Sequence, residues 1–301
     1  MIVVIGSINM DLVLRVPRMP LPGETLTGGA FQTIPGGKGA NQSVACARLS
    51  HGAGHVAMVG CLGDDPFGQS LRAALVADGI DVSHVTTLAG VASGIASILV
   101  DATGQNSIVI AGGANDLLTP AHIDAALPLI ARASIVVLQL ETPPDTVRHA
   151  IAVAHGLGKT VVLNPAPAAS LPASVLAQVD YLIPNEIEAA MLLGRGPGSD
   201  DHAASAAALQ KLGCRNVIVT LGAQGVHAAL EDGSVAFPAR AVTPIDTTAA
   251  GDTFIGGFVA ALAAGLTPAA AIDLGQRAAA IGVTRQGAQT SIPYLHELEL
   301  P

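Results

Sequence analysis

Residues 245–254 read Ile-Asp-Thr-Thr-Ala-Ala-Gly-Asp-Thr-Phe, and they concentrate the chemistry of this chain. Ala249, Ala250 and Gly251 lead into Asp252, and an apolar helical run, Phe254 to Ala264, begins directly behind it. Small residues let backbone approach a ligand closely, and a helix start presents unpaired N–H groups at a positive dipole end. A carboxylate and a cradle for an anion therefore fall in one place. A base beside a cradle for developing negative charge suits transfer of a phosphoryl group to an alcohol. The plainer reading of Asp252 is a helix cap.

Other polar residues stand at the ends of apolar runs. Asn9 and Asp11 follow the first run at alternate positions, so both side chains can face one side. Asn and Asp offer several donors and acceptors to a polyol; an Asx turn is the alternative. Pro35-Gly36-Gly37-Lys38-Gly39-Ala40-Asn41-Gln42 precedes a helical pattern, so Lys38 and Asn41 can present polar groups from its first turn. This is neither a Walker A loop nor the G-x-G-x-x-G dinucleotide fingerprint; a flexible turn with a solvated lysine competes. Glu141 follows Ile135–Gln139 and reads as a surface residue unless Asn9, Asp11 and Asn41 converge on it. Asn185 and Glu188 have the spacing of a capping box, or of residues ordering water and Mg²⁺ near phosphates. Thr220, Gly222 and Gly225 suit a backbone-lined phosphate contact, or a tight hairpin turn into Val226–Leu230. The irregular loop Val283–Ser291 exposes carbonyls, which with Asp246 could surround a monovalent cation.

Positioning these groups requires a scaffold. Apolar β-branched runs predict strands at Ile2–Ile5, His55–Val59, Ile135–Gln139, Thr160–Leu163, Tyr181–Ile183 and Asn216–Thr220. Between them, Ala/Leu-rich patterns predict helices at Gly39–Leu49, Phe67–Ala77, Pro120–Ala131, Pro144–His155, Glu186–Leu193, Asp200–Leu212, Thr253–Ala264 and Pro268–Val283. Near-continuous apolar strands alternating with helices imply a mostly parallel sheet covered on both faces. Residues 11–34 and about 91–110 break the rhythm with strands and Gly/Pro turns, including a hairpin of Ile95–Val100 and Asn106–Ile110. They predict a small β-sheet lid on one α/β domain that spans residues 1–301. Gly194–Ser199 reads as a turn, not a linker.

Composition narrows the partners. A formal charge of −9 and an aromatic content of 2% argue against nucleic acid and anionic membrane, which need basic surface or stacking platforms. Cys46, Cys61 and Cys214 are widely spaced, with no Cys-x-x-Cys, as expected of structural thiols in a reducing cytoplasm. No run of 18 apolar residues is present, and the N-terminal apolar run is too short, and lacks the basic flank, for a signal peptide. The histidines show no metal spacing, and the zinc-protease, serine-hydrolase and protein-kinase motifs are absent from the sequence.

Taken in order from Ile2 to Pro293, the strings GSINMD, PGGKGANQ, LQLE, NPAPA (Asn164–Ala168), PNEIE, TLGAQG, DTTAAGDTF and VTRQGAQTSIP resemble the ribokinase-like (PfkB-type) carbohydrate kinases. The resemblance implies a three-layer α/β sandwich with a β-sheet lid, and ATP-dependent phosphorylation of D-ribose at O5. It implies Asp252 as general base on the primary hydroxyl, with the N–H groups of Ala249, Ala250 and Gly251 as the anion hole. Asn9, Asp11, Gly37, Lys38, Asn41 and Glu141 would hold the sugar. Asn185, Glu188, Thr220, Gly222 and Gly225 would serve ATP and its Mg²⁺, with Gln276 toward the adenine. An activating K⁺ would lie near Asp246, Thr248, Gly282, Arg285, Gly287 and Ser291. A homodimer paired through the lid is also implied. Ala249 departs from the glycine that often opens the anion-hole motif, but it supplies the same N–H. The rival expectations are the same fold acting on deoxyribose, a nucleoside, fructose or a sugar phosphate; a non-catalytic sugar-binding protein; and a Rossmann oxidoreductase, which the missing glycine fingerprint disfavours.

Overall fold

The computed structural model describes residues 1–50, 55–196 and 201–298. Its strands are β1 (Ile2–Ile5), β2 (Asn9–Arg15), β3 (Phe31–Gly36), β4 (Val56–Gly63), β5 (Asp81–Leu88), β6 (Gly94–Val100), β7 (Asn106–Ala111), β8 (Ile135–Leu138), β9 (Thr160–Leu163), β10 (Tyr181–Leu182), β11 (Asn216–Thr220), β12 (Val226–Leu230) and β13 (Gly233–Phe237). Its helices are α1 (Lys38–Leu49), α2 (Pro66–Ala77), α3 (Pro120–Ala125), α4 (Leu127–Arg132), α5 (Pro144–Gly156), α6 (Ala173–Leu176), α7 (Glu186–Leu192), α8 (His202–Gln210), α9 (Ala250–Ala263) and α10 (Pro268–Gly282).

Nine strands form the central sheet in the order β13-β12-β11-β10-β9-β8-β1-β4-β5. From β11 to β5 every pairing is parallel, and only the β11-β12-β13 edge is antiparallel. The period of two divides each central strand between the faces. Ile2, Val4, Met58 and Val137 pack toward α1, α9 and α10, while Val3, Ile5, Val59 and Leu138 pack toward α3, α4 and α5. Both faces are therefore apolar, which is why these strands read as unbroken Val/Ile/Leu runs. α9 lies between α1 and α10 and is buried from Asp252 to Ala261. A side chain at Gly256 would overlap Ala45 of α1, so glycine permits that close approach.

The lid is a separate four-stranded sheet, β3-β2-β6-β7. It spans slightly more chain than the insertions expected at 11–34 and 91–110. Asn9 and Asp11 consequently stand on its strand β2, not in a loop beyond β1, and alternation sends both to one face.

Three expectations are corrected. The helix expected at Pro120–Ala131 is two helices meeting at Ala126, because Pro128 lacks an N–H and sits in the first turn of α4. α9 starts at Ala250, not Thr253, after Ala249 in the left-handed region at φ 57°. The strands β5 and β13 add to those expected: β5 is an edge strand with alternate exposure, and β13 completes the hairpin after β12. Of the helix expected from Asp200, His202–Gln210 is observed and Asp200 lies outside the described residues, as do residues 197–199 of the expected turn. Among the described residues no helix is long and apolar enough to cross a membrane.

Candidate active site

The site forms where the loop after β1, the start of α1, the lid strand β2 and the start of α9 meet. Gly39, in the first turn of α1, lies against Gly6 and Ser7, and a side chain there would strike that backbone. Glu141, after β8, ties this junction together. Its Oε2 accepts from Ser7 Oγ at 2.6 Å and from the Lys38 N–H at 3.1 Å, so a carboxylate caps the positive end of α1. Gly37, at φ 86°, takes a conformation that suits glycine and packs against the Asn9 backbone.

Asn9 and Asp11 face this junction from the lid. Asn9 Oδ1 accepts from Asn115 Nδ2 at 2.7 Å, which leaves the Asn9 amide nitrogen as its outward group. Asn115 also accepts from the Ile8 N–H at 2.9 Å, so it fixes the strand that carries Asn9. Asp11 is buried, 8% exposed, against Gly36 on β3, where any side chain would overlap its carboxylate. Burial, with Glu141 and Asp252 nearby, pushes Asp11 up to about 7, and Lys38 opposes that rise.

Asp252 occupies the first turn of α9 but does not cap it: the cap residue is Ala249, with no side-chain cap bond. Its Oδ2 accepts from Asn41 Nδ2 at 3.0 Å and its Oδ1 from Gln42 Nε2 at 2.9 Å. Burial raises the Asp252 pKa above the ordinary carboxylate value, against the pull of Lys38 and of the two amides. Burial works against the Lys38 ammonium too. There the carboxylates of Asp252, Glu141, Glu188 and Asp11 prevail and hold its pKa above the ordinary lysine value. One cation among four carboxylates is a strongly coupled set, and an added anion would find its charge partner in Lys38.

A cavity of about 220 Å³ opens beside Asp252. Lys38, Asn185, Glu188 and Thr220 line one side, and Ala249, Ala250, Gly251 and Asp252 line another. The left-handed Ala249, a conformation costing about 1 kcal/mol for a residue with a side chain, turns the chain sharply into α9. The Ala250 N–H is taken by the Thr247 carbonyl at 3.2 Å, so the first-turn donors aimed beyond the helix are those of Gly251 and Asp252. Asn185 and Glu188 form the expected capping box, with reciprocal bonds of 2.8 and 2.9 Å, and they also line the cavity. Burial raises the Glu188 pKa despite the Asn185 N–H and Lys38.

Gly222, Gly225 and Gln276 do not line this cavity. Gly225, at φ 93°, presses against the Phe237 carbonyl and closes the β11–β12 hairpin; Gln276 Nε2 donates to the carbonyls of Phe237 and Pro238. The loop expected to hold a cation is well ordered by bonds. Asp246 Oδ1 accepts from the Thr248 N–H at 2.9 Å and from its hydroxyl at 2.6 Å, while Oδ2 accepts from the Gly287 N–H at 2.9 Å. Burial raises the Asp246 pKa, but these bonds outweigh it and hold the group ionised. The Gly282 carbonyl accepts from the Arg285 N–H, and Ser291 Oγ from its hydroxyl donates to the Ala288 carbonyl. Arg285 turns its guanidinium to Glu297, so only its backbone belongs to this loop. An ionised carboxylate among backbone carbonyls is a donor set that fits a monovalent cation. Glu188 beside Lys38 likewise fits Mg²⁺ held mainly by phosphates, which needs few protein carboxylates.

Sequence reasoning assigned no role to Gln42, Asn115, Gln139 or Asn164. Gln42, Gln139 and Asn164 lay inside quoted strings, as polar residues at the ends of apolar runs or beside Asn41. Asn115 carried no local signal, because only the lid's return to the sheet brings it to Asn9.

A carboxylate at a helix start, lining a cavity with a lysine on a covered parallel sheet, defines a kinase-type phosphoryl-transfer site. Residues 1–295 match the pfkB family of carbohydrate kinases. The ribokinase of Haemophilus influenzae is 44% identical over 295 residues, which is 98% of this chain and 95% of that protein. The structure of Thermotoga maritima ribokinase aligns with a TM-score of 0.91 at 37% identity, covering 99% of this chain and 97% of that one. Arabidopsis thaliana ribokinase, solved with ribose and ATP, aligns at 0.89 and 30% identity, covering 99% and 96%. This chain belongs to the pfkB carbohydrate kinase family.

Proposed function

We propose that the protein transfers the γ-phosphoryl group of ATP to O5 of D-ribose, giving ribose 5-phosphate and ADP. The observation that carries this reading is Asp252: a buried carboxylate, raised in pKa, held by two amides at the start of a helix and sharing a cavity with Lys38. As general base it accepts the proton of the attacking hydroxyl, for which a raised pKa brings it nearer the working pH. The first-turn N–H groups at Gly251 and Asp252 and the Lys38 ammonium receive the charge on the transferred group. Glu188 and Asn185 would hold magnesium, which when bound would neutralise charge on the phosphates.

The sugar is bound by Asn9 as donor, Asp11 as acceptor and Asn41, whose Oδ1 is buried without a partner. Gly37 gives the backbone close approach, and Glu141 holds the Lys38 N–H in place. Thr220 lines the cavity that would take the nucleotide phosphates, and a K⁺ at the Asp246 loop would be held by Asp246 and backbone carbonyls beside the turn that feeds Ala249. Lys38 faces the phosphoryl cavity, which favours a free sugar over a sugar phosphate as acceptor. Cys46, Cys61 and Cys214 are free and buried, in keeping with a reducing compartment.

A coupled ADP-release assay with Mg-ATP tests the reading on a panel of ribose, deoxyribose, fructose and nucleosides, with K⁺ and with Na⁺. The expected result is highest kcat/KM on D-ribose, raised by K⁺. Highest turnover on another acceptor would replace the substrate and retain the mechanism. Sugar binding with no ADP release would make this a binding protein.

The lid supports a homodimer. β7 is an edge strand exposed along its length, carrying Ile108, Val109 and Ile110. Val109→Lys is expected to convert a dimer to a monomer in light scattering at micromolar concentration. An unchanged mass would move the interface off this edge.

A further inference from the structure

Asp252 sits at the end of an amide chain whose direction is set by the backbone. The Ile183 carbonyl can only accept, so Asn164 turns its Nδ2 toward it, at 2.9 Å. Asn164 Oδ1 then faces Gln42 and accepts from Nε2 at 3.2 Å. The same Nε2 donates its second proton to Asp252 Oδ1 at 2.9 Å. On its other side, Gln42 Oε1 accepts from Gln139 Nε2 at 2.6 Å. The four side chains come from α1, the end of β8, the end of β9 and α9, and all are buried, Gln42 completely.

An amide has one donor end and one acceptor end. Rotating Gln42 would set its oxygen against the Asp252 carboxylate and the Asn164 oxygen; the direction is fixed at that end, since Gln139, whose Oε1 has no partner, could turn with it. The chain therefore has one favourable polarity, and the Asp252 carboxylate inherits a fixed plane from it.

We propose that Gln42 is a positioning residue for phosphoryl transfer: anchored by Asn164 and Gln139, its amide clamps Oδ1 of Asp252 so that Oδ2, beside Asn41, faces the acceptor hydroxyl. This rests on the reading of Asp252 as the base. A hydrogen bond to a charged group is stronger than a neutral one, and it favours the ionised carboxylate. The charged groups around Asp252 are Lys38 from α1, Glu141 after β8, Asp11 from β2 and Glu188 from α7. Of these only Lys38 favours ionisation, so the amide donors matter.

Gln42→Met keeps the length of the side chain and removes both amide ends. The expected result is a kcat lower by roughly 10–100-fold, the reach of one charge-assisted bond, with the KM for ribose within about threefold. The acid limb of kcat/KM moves to higher pH, since the base now protonates more easily. The readout independent of turnover is the ¹³Cγ resonance of Asp252, assigned by its loss in Asp252→Asn. It titrates at higher pH in Gln42→Met than in the parent protein. Asn164→Ala, which frees Gln42 without touching Asp252, moves the titration the same way by less. An unmoved titration in folded Gln42→Met overturns the proposal. Where that variant does not fold, an unmoved titration in Asn164→Ala overturns it. Failure of the kinase reading shows separately, as absent ADP release by the parent protein while the resonance is still read.

Discussion

Asp252→Asn is expected to lower kcat by roughly 10²–10⁴-fold, the usual share of a general base, while the protein stays folded and still binds ribose. The replacement is nearly isosteric, and the local bonds show how it is accommodated. Gln42 is locked by Asn164 and Gln139, so it keeps its donor on the new amide's oxygen. The new nitrogen then faces Asn41, whose Oδ1 has no partner and can turn to accept it. The exchange also removes a carboxylate that burial has raised in pKa. A raised carboxylate pKa costs stability that is lost as pH climbs through the folded-state value, and a neutral amide does not titrate. The melting temperature at pH 7.5 should therefore be no lower than that of the parent protein. Rapid-quench kinetics and calorimetric ribose titration measure the two sides. Turnover at the parent rate would remove Asp252 from the chemistry. Loss of both folding and binding would make it a structural residue.

The parts of this molecule legible in its sequence are those where local pattern and function coincide. Val/Ile/Leu runs such as Ile2–Ile5 and Ile135–Leu138 need both faces buried, and the parallel sheet provides that. Asp252, Lys38, Asn185 and Glu188 announced themselves by type and neighbours, and the fold brings them to one cavity. What escaped was set by tertiary contact. The helix start at Ala250 depends on an alanine in a left-handed conformation, which propensity does not favour. The break at Ala126 turned on the position of one proline within an otherwise helical pattern. Gln42 and Asn115 act through partners 97 to 210 residues away, a separation that no local pattern encodes.

At Asp11 too the same charge weakens the fold and strengthens the site. Its carboxyl is raised from 3.8 to about 7, chiefly by burial and then by Glu141 and Asp252. The sign follows from linkage. Below about pH 4 the group is protonated in both folded and unfolded chains and has no effect. As pH rises toward 7 the unfolded chain ionises first, so stability falls across that window and levels off above it. At about 1.4 kcal/mol per pKa unit the full effect is on the order of 4 kcal/mol, reduced where Lys38 moves closer. Asp11→Asn removes the titration. Its melting temperature at pH 8 should exceed that of the parent protein by several degrees, since 1 kcal/mol shifts a large domain by roughly 2–4 °C. The gain should shrink steadily toward pH 4. Ribose affinity should move the other way, falling roughly 10–100-fold at pH 8, as expected for exchanging a charged acceptor for a neutral amide. The parent protein's own ribose affinity should rise with pH through about 7, and the variant's should not. Differential scanning fluorimetry across pH, paired with ribose titrations, reads both. A variant no more stable at pH 8 than at pH 4, relative to the parent, would mean that Asp11 is compensated in the free protein. In that case the carboxylate is already paired before the sugar arrives, and sugar binding must break that pairing to gain the contact.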